Sequence, residues 1–594
     1  MNPLVEYTSR LAHWNSELSS TKRRFVLIGN LRLVVAIFAA LLAWLAFKIE
    51  IVTGWSLLFP LAVFVVLVIV HERVVRTQTV AERAAKYYSN GLARLNDSWA
   101  GNGNPGDLFR DTNHVYADDL DVFGRGSLFE LIDTARTGAG ERTLARWLLT
   151  PATRNEALSR QVAVQELSKR IDLREDLALI GEDVRVNVHA AMLEKWGTAT
   201  PVVFHPLLRI AALALAVAGV VAFAAFMAHL IPLFPFVAIL AADFLLIASV
   251  RHRVSKVIRA VETPGTDLLI LNLILERLEN EQFASPSLNA IRARLQPSGL
   301  PASVRIARLQ RWIEWLDSSD HLLVRVVRPV LLWKEQLAMA IEAWRSESGR
   351  YIGDWMAAVG EFEALSSLAA LAFERPHWIF PTLSESPAPC FDAQAMQHPL
   401  MPAARCVPND VSLGANLQLL IVSGSNMSGK STFLRAIGLN TVLAWAGAPV
   451  AAKHLTVSQL QPASSIRVTD SLFDNRSRFY AEITRIRQIL DLASGTRPVL
   501  FLLDELLSGT NSHDRRIGAA AIVRSLIHRN AIGLITTHDL ALANIERDLE
   551  GKALNVHFDD KISDGHISFD YRLRPGVVTH SNALELMRSV GLEV

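Results

Sequence analysis

The sequence predicts an α/β fold wound on a strand–glycine loop–helix unit, preceded by an all-α region and two transmembrane helical hairpins. Three observations carry this. The buried-strand run Leu417–Val422 leads into a glycine-rich loop, and an apolar helix starts at Ser431. Four long apolar stretches lie in two closely spaced pairs. Between and after the pairs, apolar residues recur at helical spacing, broken by prolines such as Pro151 and Pro376. A chain of 594 residues also exceeds what one hydrophobic core organises.

The apolar stretches are Leu33–Phe47, Ile51–Val70, Ile210–Ala228 and Leu230–Val250. The second to fourth are long enough to cross a hydrocarbon core, and the first is short but flanked by Arg32 and Lys48, which can snorkel. Lys22, Arg23, Arg24 and Arg32 precede the first hairpin, and Arg73 and Arg76 follow it. Arg251, Arg253, Lys256 and Arg259 follow the second. By the positive-inside rule both hairpins return the chain to the cytoplasm, which predicts a multi-pass protein of the inner (cytoplasmic) membrane with its soluble parts inside. Asp243, the intramembrane acid, is expected to pair locally near the basic end. The polar N-terminus does not read as a cleavable signal peptide.

The rest of the composition is bland. Hydrophobic residues make up 51%, which suits a soluble protein carrying a few spans better than a mostly lipid-facing transporter. A net charge of +2 gives no global case for nucleic-acid binding. Cys390 and Cys406 read as ordinary thiols of a reducing compartment. Trp312, Trp315, Trp333, Trp344 and Trp355 read as core filling. The segments are 1–31, N-terminal; 32–72, first hairpin; 73–105, helical linker; 106–200, first part of a helical core; 201–251, second hairpin; 252–385, second part of the core with lever helices; and 386–594, the α/β domain.

The loop Gly424-Ser425-Asn426-Met427-Ser428-Gly429-Lys430-Ser431-Thr432 has the GxxxxGK[ST] pattern in its proper strand-to-helix context. Its glycines let the backbone wrap a phosphate so that N–H groups and the helix N-terminus face the negative charge. Lys430 reaches the β- and γ-phosphates of ATP, and Ser431 is a Mg²⁺ ligand. The run Pro498–Leu503 ends in Asp504-Glu505, which places Asp504 toward Mg²⁺ and Glu505 where it orients or deprotonates the attacking water. A third run, Ala531–Ile535, ends in Thr536-Thr537-His538, and His538 is placed to sense the γ-phosphate. The chain is therefore read as a P-loop ATPase.

These residues resemble the MutS mismatch-repair family. The loop Asn426–Thr432 is similar to that family's NMxGKST form. Ser477-Arg478-Phe479-Tyr480-Ala481-Glu482 resembles its signature segment, in which a Ser and a following Glu precede a long helix. Asp504-Glu505 with Ser508–Ser512 and Asp514, Thr537-His538, Asn555-Val556-His557 and His398-Pro399-Leu400 resemble further ATPase motifs. Leu144–Leu149 with Pro151, Arg160-Gln161 and Ala163-Val164 resemble the family's helical core. The resemblance covers about 106–200 and 252–594. It implies an ABC/MutS-type ATPase acting as a homodimer, with Ser477 of one subunit completing the other's nucleotide site and lever helices coupling ATP state to DNA. The mismatch-reading domain has no counterpart, because the first hairpin stands in its place. Two other classes share some of these features. An ABC-type transporter is disfavoured by four spans rather than six, by the absence of an LSGGQ-like segment and by the short stretch between Lys430 and Asp504. A non-enzymatic ATP-locked tether rests on Arg305, Arg308 and Arg311, which could meet DNA phosphates from one helix face but read more readily as a solvated face.

Overall fold

The computed structural model describes residues 2–49, 51, 53–180, 190–261, 264–297, 299–318, 330–425, 428–467, 478–508, 510–538, 540–563 and 566–578. Asn426, Met427 and Ser477 lie outside them. The chain divides into two compact units. The first comprises Met1–Thr134, Ala145–Leu179 and Ser366–Val594, and the second Ala135–Leu144 and Ile180–Leu365.

Two sheets form the α/β part of the first unit. The larger has six strands in the order β10-β9-β4-β8-β7-β6, where β4 is Leu419–Ser423, β6 Gln461–Ser465, β7 Val499–Leu503, β8 Ile532–Thr537, β9 Ala553–Ser563 and β10 His566–Pro575. Strands β9, β4, β8, β7 and β6 run parallel, and β10 closes one edge antiparallel to β9. Every residue of β4, β7 and β8 is buried, as continuous apolar runs in a sheet covered on both faces should be. The smaller sheet orders β1-β5-β2-β3, with β1 at Thr382–Leu383, β2 at Phe391–Met396, β3 at Asn409–Leu413 and β5 at His454–Val457. Strand pairing thus begins at Thr382, ahead of the position-386 boundary drawn from the sequence.

The first hairpin also belongs to this unit. Its helices run unbroken from Pro3 to Phe47 and from Leu58 to Leu95, so segments 1–31 and much of 73–105 are continuous with the apolar stretches. Their polar ends pack through a cluster of Tyr7, Tyr87, Tyr88 and Ala178, bordered by Trp14 and Phe373. Arg10 bonds Glu175 at 2.7 Å, and the buried Arg94 pairs with Glu374 at 2.6 Å.

Residues 107–133 depart from the sequence reading, which assigned 106–200 to one helical core. They dock on the α/β part instead. Ser464 N–H donates to the Val115 carbonyl, and the buried Asp119 accepts from Ser464 Oγ (2.8 Å) and from the backbone N–H groups of Ile466 and Arg467. Asp121 pairs with Arg467 and with Arg435 of the helix that follows the glycine loop. A buried carboxylate with three donors is well satisfied, which holds this segment where helical periodicity alone would not put it.

In the second unit the helices Pro206–Met227 and Leu233–Val261 form the second hairpin. Asp243 is buried there, and neither carboxylate oxygen has a hydrogen-bond partner. The expected local pairing is absent among the described residues, because Arg251 lies more than two turns further along the helix. The arginine stripe also splits. Arg305 is buried and donates to Ser348 Oγ at 3.0 Å and Glu347 at 3.2 Å, while Arg308 and Arg311 are exposed. Of the tryptophans, Trp344 and Trp355 fill core, whereas Trp315 stays half exposed beside Trp333.

Among the described residues, five helical stretches are long and apolar enough to cross a membrane by length and composition. Four are the hairpin helices. The fifth, Trp333–Glu374, has 72% of its apolar window buried, against 0%, 6%, 22% and 11% for the other four, and so is interior packing.

Candidate nucleotide site

Strand β4 ends at Ser423, and the chain turns at Gly424 with φ +146°. A side chain there would meet Ser428 Oγ at 2.7 Å and the Phe558 carbonyl at 3.0 Å, so glycine is required on two grounds. Gly429, at φ +96°, precedes the helix Lys430–Ala446. Ser428 Oγ donates back to the Ser425 carbonyl at 2.7 Å, which tightens the loop.

Lys430 is buried, and its Nζ donates to the Gly424 and Ser425 carbonyls, each at 2.8 Å. Burial lowers its ammonium's pKa, opposed by the charges of Glu505 and Asp504. Ser425 Oγ is buried with no partner. A buried cation resting on loop carbonyls, with an orphan hydroxyl alongside, is a cradle whose polar groups an anionic ligand would satisfy.

The parallel register brings the acidic strand end to the loop. Ser431 Oγ donates to Asp504 Oδ2 at 2.5 Å, and the Thr536 hydroxyl donates to the other carboxylate oxygen. The same Thr536 Oγ1 accepts the Glu505 N–H at 2.9 Å. Glu505 adopts φ +48°, and its Oε1 lies 3.6 Å from His538 Nδ1. Four of the residues singled out in the sequence (Lys430, Ser431, Asp504 and Glu505) therefore converge, with His538 against the fourth. A hydroxyl and a carboxylate make a hard-oxygen pair of the kind Mg²⁺ takes, so Ser431 and Asp504 fit that ion by chemistry.

Three contributors were not singled out for their roles. Thr536 joins Asp504 to the Glu505 backbone; its signal was a hydroxyl at the end of a buried strand. Glu482, buried, accepts the Leu507 N–H at 2.6 Å and so fixes the loop after Asp504-Glu505. It sits inside the helix Arg478–Ala493 rather than before it. Tyr571, brought in by the β9–β10 pairing, had no local signal. It lines a cavity of about 420 Å³ that opens beside Ser428, Gly429 and Thr432 and is walled by Met396, His398, Phe433 and Phe558. Burial, reinforced by Arg435, lowers the His398 imidazole to about 4, so it is neutral at physiological pH. The segment after Glu505 ends in an ordinary cap, with Asn511 Oδ1 accepting the Asp514 N–H at 2.9 Å ahead of the helix Ser512–His528.

Comparison with known proteins agrees with this layout. Residues 420–593 match the family model of MutS domain V, and residues 109–210 match that of MutS domain III. Proteins named DNA mismatch repair protein MutS from Listeria welshimeri and Listeria innocua are each 32% identical over 235 residues, and that from Listeria monocytogenes is 31% identical over the same length. The match covers 38% of this chain and 26% of each relative, so the chain spans about a quarter of their length. The glycine loop, the strand-end acids and residues 109–133 of the docked segment all fall within the matched domains, and the chain is a member of the MutS family.

Proposed function

We propose that this protein is a membrane-anchored MutS-like ATPase that binds and hydrolyses ATP with Mg²⁺ as a homodimer and acts on DNA. The observation that carries the reading is the contact between Ser431 and Asp504, which joins the phosphate loop to the acidic strand end beside Glu505 and His538. Lys430 exchanges its loop carbonyls for the β- and γ-phosphates. Ser431 and Asp504 would hold Mg²⁺, which would supply charge neutralisation at the phosphates. Glu505, held by Thr536 through its own N–H, orients or deprotonates the attacking water, and His538 steadies the Glu505 carboxylate. The cavity walled by Tyr571, Phe433 and Phe558 suits the nucleotide base, since an apolar aromatic wall next to the phosphate loop can stack on it. Ser477 of the partner subunit would complete the site in trans, as the family resemblance implies.

Anchoring rests on the hairpin helices, whose apolar windows are almost wholly uncovered by protein. The place is the inner membrane, with the parts of both units outside the hairpins in the cytoplasm by the positive-inside rule. The DNA assignment follows from the likeness to proteins named for DNA mismatch repair. The test is ATP turnover of detergent-purified protein, alone and with a panel of duplex, branched and mismatched DNAs, beside a Glu505→Gln variant. The variant should bind ATP and turn it over at least ~100-fold more slowly. Undiminished turnover would sink the ATPase assignment, and stimulation by none of the DNAs would remove DNA as the target.

A further inference from the structure

At the end of the second hairpin, within the second unit, a cavity of about 380 Å³ lies between the helices Ala190–Thr198, Leu233–Val261 and Trp333–Ser348. Its floor is Trp196, stacked on Trp344, and Val257. Arg345 is buried at its base. Its Nη atoms donate to the Trp196 and Thr200 carbonyls and to Glu342, while its Nε is buried without a partner. Glu342 is already engaged twice, by Arg345 and by the Val202 N–H at 2.6 Å. Lys195 and Lys256 at the rim are exposed and make no ion pair among the described residues. The cavity floor is therefore apolar around a mutually neutralised Arg345–Glu342 pair, with a surplus of two positive charges at its mouth.

Its depth matters. The apolar run of the helix Leu233–Val261 ends at Val250, and Lys256 follows six residues later, or about 9 Å along the axis. Headgroups occupy roughly the first 5–8 Å outside the hydrocarbon, so the long Lys256 side chain can reach back to their outer edge. Val202 lies on the chain leading into the helix Pro206–Met227, and Arg253 donates to the Val203 carbonyl, so both hairpin ends meet at this level.

We infer that this cavity binds the headgroup of an anionic membrane lipid, with Lys195 and Lys256 at its mouth facing the phosphate and Trp196, Val257 and Arg345 facing the alcohol group beyond it. The inference rests on the membrane reading of the hairpins. A soluble phosphate offers the same charge but leaves the apolar floor empty.

The test is native mass spectrometry of the full chain, after exchange into mixed vesicles of phosphatidylglycerol and phosphatidylcholine and release in mild detergent. The wild type should retain phosphatidylglycerol over phosphatidylcholine, and Lys195→Ala with Lys256→Ala should reduce that preference on the order of 10-fold. Lys195→Arg with Lys256→Arg should preserve it. A control pair, Arg251→Ala with Arg259→Ala, removes the same charge from outside the cavity and should leave the preference intact. Equal loss in the control, or displacement of the lipid by millimolar inorganic phosphate, overturns the site. Alkaline extraction of native membranes separates the two readings. Release of the chain overturns the membrane reading and this inference together, whereas retention without lipid preference overturns this inference alone.

Discussion

The six-stranded sheet and the hairpins draw on the same apolar side chains and end in opposite surroundings. Every residue of β4, β7 and β8 is buried, while Phe244 and Leu245 of the second hairpin are 70% and 69% exposed. The stretch Trp333–Glu374 is a useful third case, since it passes a span criterion on composition yet is mostly interior. Hydropathy states that a segment leaves water; it does not say what replaces the water. In the sheet, strands of five or six residues are covered by helices of the same unit. Along the hairpins, no comparable protein cover exists among the described residues; in the proposed setting a membrane's hydrocarbon would supply that burial, at about 25 cal/mol per Å².

This contrast can be broken by moving charge and removing ligands in each region separately. The largest effect is expected from Leu502→Arg in β7, where an unpaired buried charge should abolish soluble, folded α/β structure, scored as loss of protease-resistant core. Next, Asp504→Asn leaves Ser431 and Thr536 without their carboxylate and should lower ATP turnover at least ~100-fold, with the membrane-bound share of the protein unchanged. The reverse pattern is expected of Leu245→Arg. At an exposed hairpin position it costs about 2.5–3.5 kcal/mol of insertion, so the extraction-resistant fraction should fall while turnover per folded molecule stays the same. If Leu245→Arg instead destroyed the fold as Leu502→Arg does, the hairpin would be protein core.

Two smaller effects sharpen the sheet side. His398 is depressed from 6.5 to about 4 by burial, so above pH 6.5 it is neutral in both folded and unfolded chains. As pH falls from 6.5 toward 4 the unfolded chain takes up a proton that the folded chain refuses, and stability declines by up to about 3 kcal/mol. Denaturant unfolding should show this acid slope in the wild type and a flatter one in His398→Asn. Smallest is Thr536→Val, which removes the hydroxyl between Asp504 and the Glu505 backbone. A drop of roughly 10-fold in kcat with little change in KM is expected, and a shift confined to KM would argue against a positioning role.

What could be read in advance follows from the range of the interactions. The strand entering Gly424, the helix from Lys430 and the strand ending at Asp504 are each local patterns, legible from a handful of neighbouring residues. The hairpins were legible as helices for the same reason. Residues 107–133 were not, because Asp119 and Asp121 find their donors at Ser464, Ile466, Arg467 and Arg435, far along the chain. Tyr571 and the aromatic cavity likewise depend on β10 folding back across β9. Arg305 looked like part of a surface stripe, and only tertiary packing against Glu347 and Ser348 turned it inward.

The unbroken helix Pro3–Phe47 has one further consequence. From Arg10, where it is fastened to Glu175, to Lys22, where the basic flank begins, it rises about 18 Å, at 1.5 Å per residue. That exceeds two Debye lengths at physiological ionic strength. Paired with the helix Leu58–Leu95, it acts as a stiff mast. In the proposed setting the mast holds its fastening point beyond the reach of the membrane's negative surface potential, so that a polyanion could be handled at that height without being repelled by the lipid beneath it.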